Sequence, residues 1–244
     1  MKKKMVIVLV VTILSLAVIG FFVERKISPP LQDRYFSLDA STPPNLIAIR
    51  PAHFIPPDDR GNYWQQFTNA GKVTTYLSGR GVTVQEMIAA AYGFSQSRIV
   101  FPSDMPSGQF DYVVSVPEKE KEELQAVIKS KWGYIAHEEK RDTEVLALTV
   151  ELSDLPGLQI STNTVRSYRA GKLTRFNVNV LVWPLENRLQ QPVVDETGLT
   201  NFYDFRWNFG ARDKAAIDKQ LAGLGLGLEP KTEPLDMLVV EKAD

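Results

Sequence analysis

The stretch Lys131–Val150, KWGYIAHEEKRDTEVLALTV, and the stretch Gly223–Val240, GLGLGLEPKTEPLDMLVV, decide how this chain is read. Each begins at the glycine-marked end of a helix, continues as a short strand, crosses a charged segment and closes in a strongly apolar strand. In the first, Tyr134–Glu138 and Glu144–Leu152 are the predicted strands and Lys140–Thr143 the turn. In the second, Leu226–Glu229 and Leu235–Val240 are the strands, split by Pro230–Pro234. Two matching segments near the ends of two tracts point to an internal duplication.

Working outward, the tract before Lys131 opens with a strand, Lys72–Leu77. Thr83-Val84-Gln85-Glu86 then has the form of a capping box, and Val84, Met87, Ile88 and Ala91 make one apolar helix face that ends at Gly93. Predicted strands Arg98–Phe101 and Phe110–Val116 come next. Pro117 with Glu118 and Glu120 opens a second helix, with Leu124, Val127 and Ile128 as its buried stripe and Gly133 as its stop. The acidic and basic run Glu118–Glu123 reads as the wet face of that helix.

The same order returns later. Gly171-Lys172-Leu173-Thr174 echoes Gly71-Lys72-Val73-Thr74, and a helix is expected around Val180–Leu189, with Pro184 acceptable only in its first turn. A strand at Pro192–Val194, a turn at Asp195–Leu199, a strand at Asn201–Phe209 and a helix at Arg212–Leu224, ended by Gly225, complete the set. The expected fold is therefore α+β, with two similar halves at 71–152 and 171–244 joined by a linker at 153–170. Helices would pack on mixed or antiparallel sheet.

Before the first half, residues 27–70 hold a dense set of prolines, in ISPP, STPP, IRPA and IPPDD, which favours an extended stalk. Asn45–Arg50 has strand character inside it, and the stretch to Gly71 reads as loop. At the start, Met5–Val23 has no charged residue and is long enough as a helix to cross a bilayer. Lys2, Lys3 and Lys4 form the stronger positive flank, so the expected orientation is N-terminus in the cytoplasm and the remainder outside it, as a single-pass protein of a bacterial inner membrane. The alternative is a cleaved signal peptide and secretion, for which Val18-Ile19-Gly20 is a poor cleavage pattern.

Composition narrows the function classes. With 28 basic and 29 acidic side chains, the chain is neither a basic nucleic-acid binder nor a disordered acidic tail. Residues 1–26 carry five basic side chains and one acidic, so the chain beyond them is mildly acidic. Cysteine is absent, which excludes disulfides, thiolate metal sites and a cysteine nucleophile. His53 and His137 are the two histidines, and His53 has no neighbours that suggest a base or a ligand.

The C-terminal stretches QPVVDETGLTNFYDF (191–205) and LGLGLEPKTEPLDMLVVEKAD (224–244) resemble a large bacterial family of exported proteins, called soil-associated, built on a domain of unknown function. The matching features are Pro192–Asp195, Thr197–Gly198–Leu199, Tyr203–Asp204–Phe205 and Leu224–Val240. VTVQEMIAAAYGF, FDYVV and the Gly-Tyr-x-x-His-x-Glu segment at Gly133–Glu139 are similar too. The chain departs from the family at Asn201, usually glycine, and at Pro184. More distantly, the repeated helix-strand-strand units look like the small N-terminal domains of secretins and TonB-dependent receptors, which mediate contacts between envelope proteins. The family implies no established activity, substrate or catalytic residue.

Four groups are candidates for a site. Asp195 and Asp204 flank a Thr-Gly turn and could form a carboxylate pair for acid–base hydrolysis. Against that, Asp195 suits a turn acceptor, Gly198 a positive φ, and Tyr203 and Phe205 a shared packing face. His137, Glu139 and Arg141 alternate on one strand, where a ligand contact competes with an ordinary salt-bridged edge. Tyr63, Trp64 and Phe67 lie in a stretch suited to sugar or peptide contact, or to covering a core edge. No nucleophile elbow, phosphate loop, dinucleotide fingerprint or His-Glu-x-x-His occurs. The expectation is thus a non-catalytic protein-interaction or envelope-assembly module, with neither cofactor nor metal, that binds an envelope protein or itself. The alternatives are an exported ligand-binding or sensing domain and a hydrolase using Asp195 and Asp204.

Overall fold

The computed structural model describes residues 45–52, 61–69 and 72–243, with backbone alone for 63–69 and 72–75. The apolar segment 5–23, most of the proline-rich stretch and His53 lie outside the described residues. Among those described, no helix is long and apolar enough to cross a membrane. The fold is α+β, and the chain divides into two compact units.

The first unit takes the residues up to Ala91 together with Pro106–Lys131. Its sheet has four antiparallel strands: β1 (Ile47–Pro51), β2 (Gly61–Asn69), β3 (Lys72–Val82) and β5 (Phe110–Val114), in the order β1-β5-β3-β2. β2 corrects an expectation, since Tyr63, Trp64 and Phe67 sit on a strand and not in a loop. Its backbone pairs with β3 from Gly61↔Arg80 to Asn69↔Lys72. Amides and glycine weaken its local strand signal, and the ladder supplied by a long neighbouring strand overrides it.

Helix α1 (Val84–Tyr92) opens as its capping box predicts. The Glu86 N–H donates to Thr83 Oγ1 at 3.2 Å, and the Thr83 N–H donates to Glu86 Oε2 at 2.7 Å. Val84, Met87, Ile88 and Ala91 are buried, as the spacing requires. Helix α2 (Glu120–Trp132) starts three residues later than Pro117, because Glu118 has a φ of 66°, a left-handed conformation that no helix continues. Leu124 and Ile128 are its buried residues among the predicted stripe. Tyr112 on β5 is fully buried, and its hydroxyl donates to Asn62 Oδ1 at 2.7 Å. Burial, helped by the nearby Glu86 charge, pushes the Tyr112 phenol well above its ordinary range.

The second unit takes Tyr92–Met105 and Trp132 onward. Its dominant feature is a ribbon of two 17-residue strands, β6 (Tyr134–Val150) and β12 (Leu226–Lys242), antiparallel from Leu226↔Val150 to Lys242↔Tyr134. Both predicted hairpins are therefore wrong in the same way: Lys140–Thr143 and Pro230–Pro234 are strand interiors, not turns. The segment Lys140–Thr143 holds no glycine or proline, so nothing forces the chain to reverse there. Pro230 and Pro234 are four residues apart and so turn their ring nitrogens to the same edge. The ladder to β6 runs past both, which places the missing N–H groups on the outer edge of β12.

Two short strands lie parallel to the ribbon, β10 (Val193–Asp195) beside β6 and β4 (Ile99–Val100) beside β12, giving the order β10-β6-β12-β4. Val145, Leu146, Ala147 and Leu148 are all buried because both faces of β6 are covered there. Leu146 and Leu148 join the main core, while Val145 joins Leu235 and Met237 in a smaller one.

The third sheet is β7 (Gln159–Ile160), β8 (Ser167–Arg169), β9 (Lys172–Phe176) and β11 (Tyr203–Arg206), ordered β7-β11-β9-β8. The expected linker at 153–170 thus contributes two strands, missed because its sequence does not alternate. Helix α3 (Val182–Leu189) keeps Pro184 in its first turn, as anticipated, and α4 (Lys214–Leu224) is capped by Asp213, whose Oδ1 accepts the Ala216 N–H at 2.7 Å. Leu173, Leu181, Leu185, Tyr203, Phe205, Trp207, Ile217 and Leu221 form the core of this part.

Candidate functional site

The motif residues of the third sheet occupy its two faces in alternation. Tyr203, Phe205 and Trp207 are buried, whereas Asp204 and Arg206 point away from the core. The expected shared packing face of Tyr203 and Phe205 is what the chain has. On β9, Leu173 faces the same core and Lys172 the other side.

Asp204 is occupied. Its Oδ1 accepts the Arg175 N–H at 2.9 Å and its Oδ2 accepts the Asn163 side-chain amide at 2.7 Å. The pairing of β11 with β9 slips between Tyr203 and Phe205, and Arg175 sits in that irregularity with a φ of 62°. Ser161, most strongly, and then the Arg175 N–H, the Lys172 charge and Asn163 hold the Asp204 carboxyl below its ordinary value, against the opposing effect of desolvation.

Asp195 is a turn acceptor. Its Oδ1 takes the Thr197 N–H at 3.0 Å and the Thr197 hydroxyl at 2.7 Å, Thr197 Oγ1 takes the Leu199 N–H at 3.2 Å, and Gly198 has a φ of 65°. Next to it, Glu196 pairs with Lys231, which also meets Glu233 at 2.7 Å. Both aspartates thus accept hydrogen bonds from the turn or strand around them.

His137 and Glu139 lie on the exposed stretch of β6. His137 Nδ1 is 3.4 Å from Glu241 Oε1, and Arg141 donates to Glu139 Oε2 at 3.0 Å, which lowers the Glu139 carboxyl's affinity for a proton. Among the described residues, no group of three or more acidic or histidine side chains could hold a metal ion. The side chains of Tyr63, Trp64 and Phe67 lie outside the described part of the structure, so their backbone places them on β2 and nothing further.

Two features escaped the sequence. The first is an ion pair between a buried glutamate and a half-buried arginine: Arg98 Nε donates to Glu186 Oε1 at 2.5 Å, Arg98 also donates to the Val193 carbonyl at 2.7 Å, and the Val193 N–H donates to the same Glu186 oxygen at 3.0 Å. It ties the turn before β4, α3 and β10 together, and exposed Trp183 borders a cleft of about 450 Å³ beside it. No local signal links positions so far apart. The second is a cleft of about 470 Å³ between β11 and α4, lined among others by Lys172, Asp204, Arg206, Lys219 and Gln220. Gly157 forms part of its wall, and a Cβ there would collide with the Gly223 carbonyl, so the chain entering β7 needs glycine to pass α4.

The sequence of these elements is that of a recognised family. Residues 85–243 match the family described as Protein of unknown function (DUF3738), and the chain belongs to it. No curated protein matches the chain, and no solved structure does.

Proposed function

We propose that this chain is a single-pass protein of the bacterial inner membrane, held by residues 5–23, whose remaining residues lie outside the cytoplasm as a non-catalytic binding module for an envelope protein or a second copy of itself. The uncharged length of Met5–Val23 and its lysine-rich leading flank support the anchor and its orientation. The observation that carries the binding role is three large apolar side chains exposed within one short segment, Ile160, Val165 and Tyr168, by 66%, 70% and 56%. Ile160 and Tyr168 belong to the two outermost strands of one sheet, where unpaired backbone is available to a partner. The engagement of Asp195 and Asp204 in turn and strand hydrogen bonds supports binding over hydrolysis. The resemblance to the exported soil-associated family, and more distantly to the small domains of secretins and TonB-dependent receptors, points the same way.

The test is crosslinking in intact cells with the full-length protein, against a control in which residues 1–40 anchor a neutral reporter. An envelope protein, or a second copy, captured only with residues 45–244 present supports the reading. Capture of nothing, or equal capture by the control, overturns it. Protease added to intact spheroplasts should digest the domain, and full protection would overturn the orientation.

A further inference from the structure

Three basic residues stand abreast on the outer face of the third sheet. Arg169 on β8 is the register partner of Lys172 on β9, and Lys172 is the register partner of Arg206 on β11. All three are exposed, and Leu173 and Phe205, their inward-facing neighbours on β9 and β11, are buried and fix which way this row points. Like charges directly opposite one another on neighbouring strands repel and weaken the sheet. Here two such pairs are adjacent, and among the described residues none of the three enters an ion pair. A row of this kind has a cost in the free protein that an anionic ligand would remove.

The surroundings are shaped to receive one. Lys172 and Arg206 open onto the cleft of about 470 Å³, and Lys219 reaches it from α4. Lys219 also lacks an ion-pair partner among the described residues. Gln159 adds an amide to the lining, and Phe205 and Leu224 supply apolar surface. Asp204 is the one carboxylate in the lining, and its charge acts on Lys172, so three cations stand against one carboxylate there.

We propose that this cleft binds a small polyanion, a molecule with two or more phosphate or carboxylate groups, held by Lys172, Arg206 and Lys219 and reached at its far end by Arg169. Neighbouring strands set the backbones that carry these cations about 5 Å apart, so their side chains can reach successive oxyanion groups on one small molecule. The guanidinium of Arg206 can grip one such group with two parallel hydrogen bonds, and the ammonium groups act as point charges on the others. This site is independent of the envelope-partner reading and stands whether or not such a partner exists.

The experiment is calorimetric titration of the full-length chain in nanodiscs of uncharged lipid, with tripolyphosphate in one arm and citrate in the other, at low salt. One saturable site is expected in at least one arm. Tight binding of tripolyphosphate alone assigns a phosphorylated ligand, and of citrate alone a carboxylated one. Arg206→Gln and Lys219→Gln should each weaken binding about tenfold or more. Lys214→Gln, which removes a cation already paired with Asp218 at 2.7 Å, should leave binding unchanged. Arg206→Gln should also melt no earlier than the parent protein, since it relieves repulsion in the row, and Lys219→Gln on the exposed side of its helix provides the folded variant if it does melt early. No saturable binding in either arm, or equal weakening by Lys214→Gln, overturns the proposal.

Discussion

The backbone N–H of Arg175, held at a φ of 62°, donates at 2.9 Å to Oδ1 of Asp204 on the adjacent strand. A left-handed conformation in a residue with a side chain costs on the order of 1 kcal/mol, and a charged acceptor aimed at its N–H offsets that cost. The same carboxylate fixes Asn163, so one side chain holds both the bulge in β9 and the loop after β7.

Asp204→Ala should therefore destabilise the protein, by about 1 kcal/mol given how open the carboxylate is to water. Its acid range gives a second check. Asp204 has a folded pKa lowered from 3.8, so the stability it contributes is fully present above that value and is lost as pH falls through the lower folded value. Melting curves of parent and variant should differ at neutral pH and converge in strong acid, and a difference that persists unchanged there would remove the carboxylate from the account.

Gly79 is set directly against Tyr112. A Cβ at Gly79 would collide with Tyr112 Cε1 and lie 2.8 Å from Val82 Cγ2, and Tyr112 has no exposed surface into which to retreat. Gly79→Ala should cost about 2–3 kcal/mol by overpacking, measured by urea denaturation with unchanged m-value. Gly79→Ala combined with Tyr112→Leu should recover part of the loss.

Glu186 and Arg98 should behave as a unit. Glu186 is the buried partner, so removing the arginine leaves a carboxylate with little water, and Arg98→Ala should cost about 3 kcal/mol. The double variant Arg98→Met with Glu186→Leu should be markedly less damaged than the two single changes added together. A double-mutant cycle with no coupling would show that the pair is incidental to stability.

Thr83→Ala removes an acceptor for the Glu86 N–H at the start of α1 and should cost about 1 kcal/mol. Thr83→Ser should retain nearly all of the parent stability, since the hydroxyl alone makes the contact.

Legible in the residues alone was whatever is settled within one turn of chain. The capping box at Thr83 and Glu86 formed as written, and Gly93, Gly133 and Gly225 end their helices at φ of 76°, 71° and 79°. The ribbon could not be read, because the polar centres of β6 and β12 interrupt the apolar pattern and become strand only through each other. The turn role of Asp195 was legible for the same local reason that Thr83 was. The bulge at Arg175 was not, since no glycine marks it, and the row of Arg169, Lys172 and Arg206 exists only once the register of three strands is known.

The pairing of β6 with β12 has a bearing on the order of events during folding. Its rungs join residues on the order of a hundred positions apart, so the second unit closes a long loop before the ladder repays it. Until β12 is delivered, the buried Val145–Leu148 segment keeps an open edge, a sticky template for any other unpaired strand. A chain stopped before Leu226 should therefore be more open to proteases and aggregation than one that carries β12.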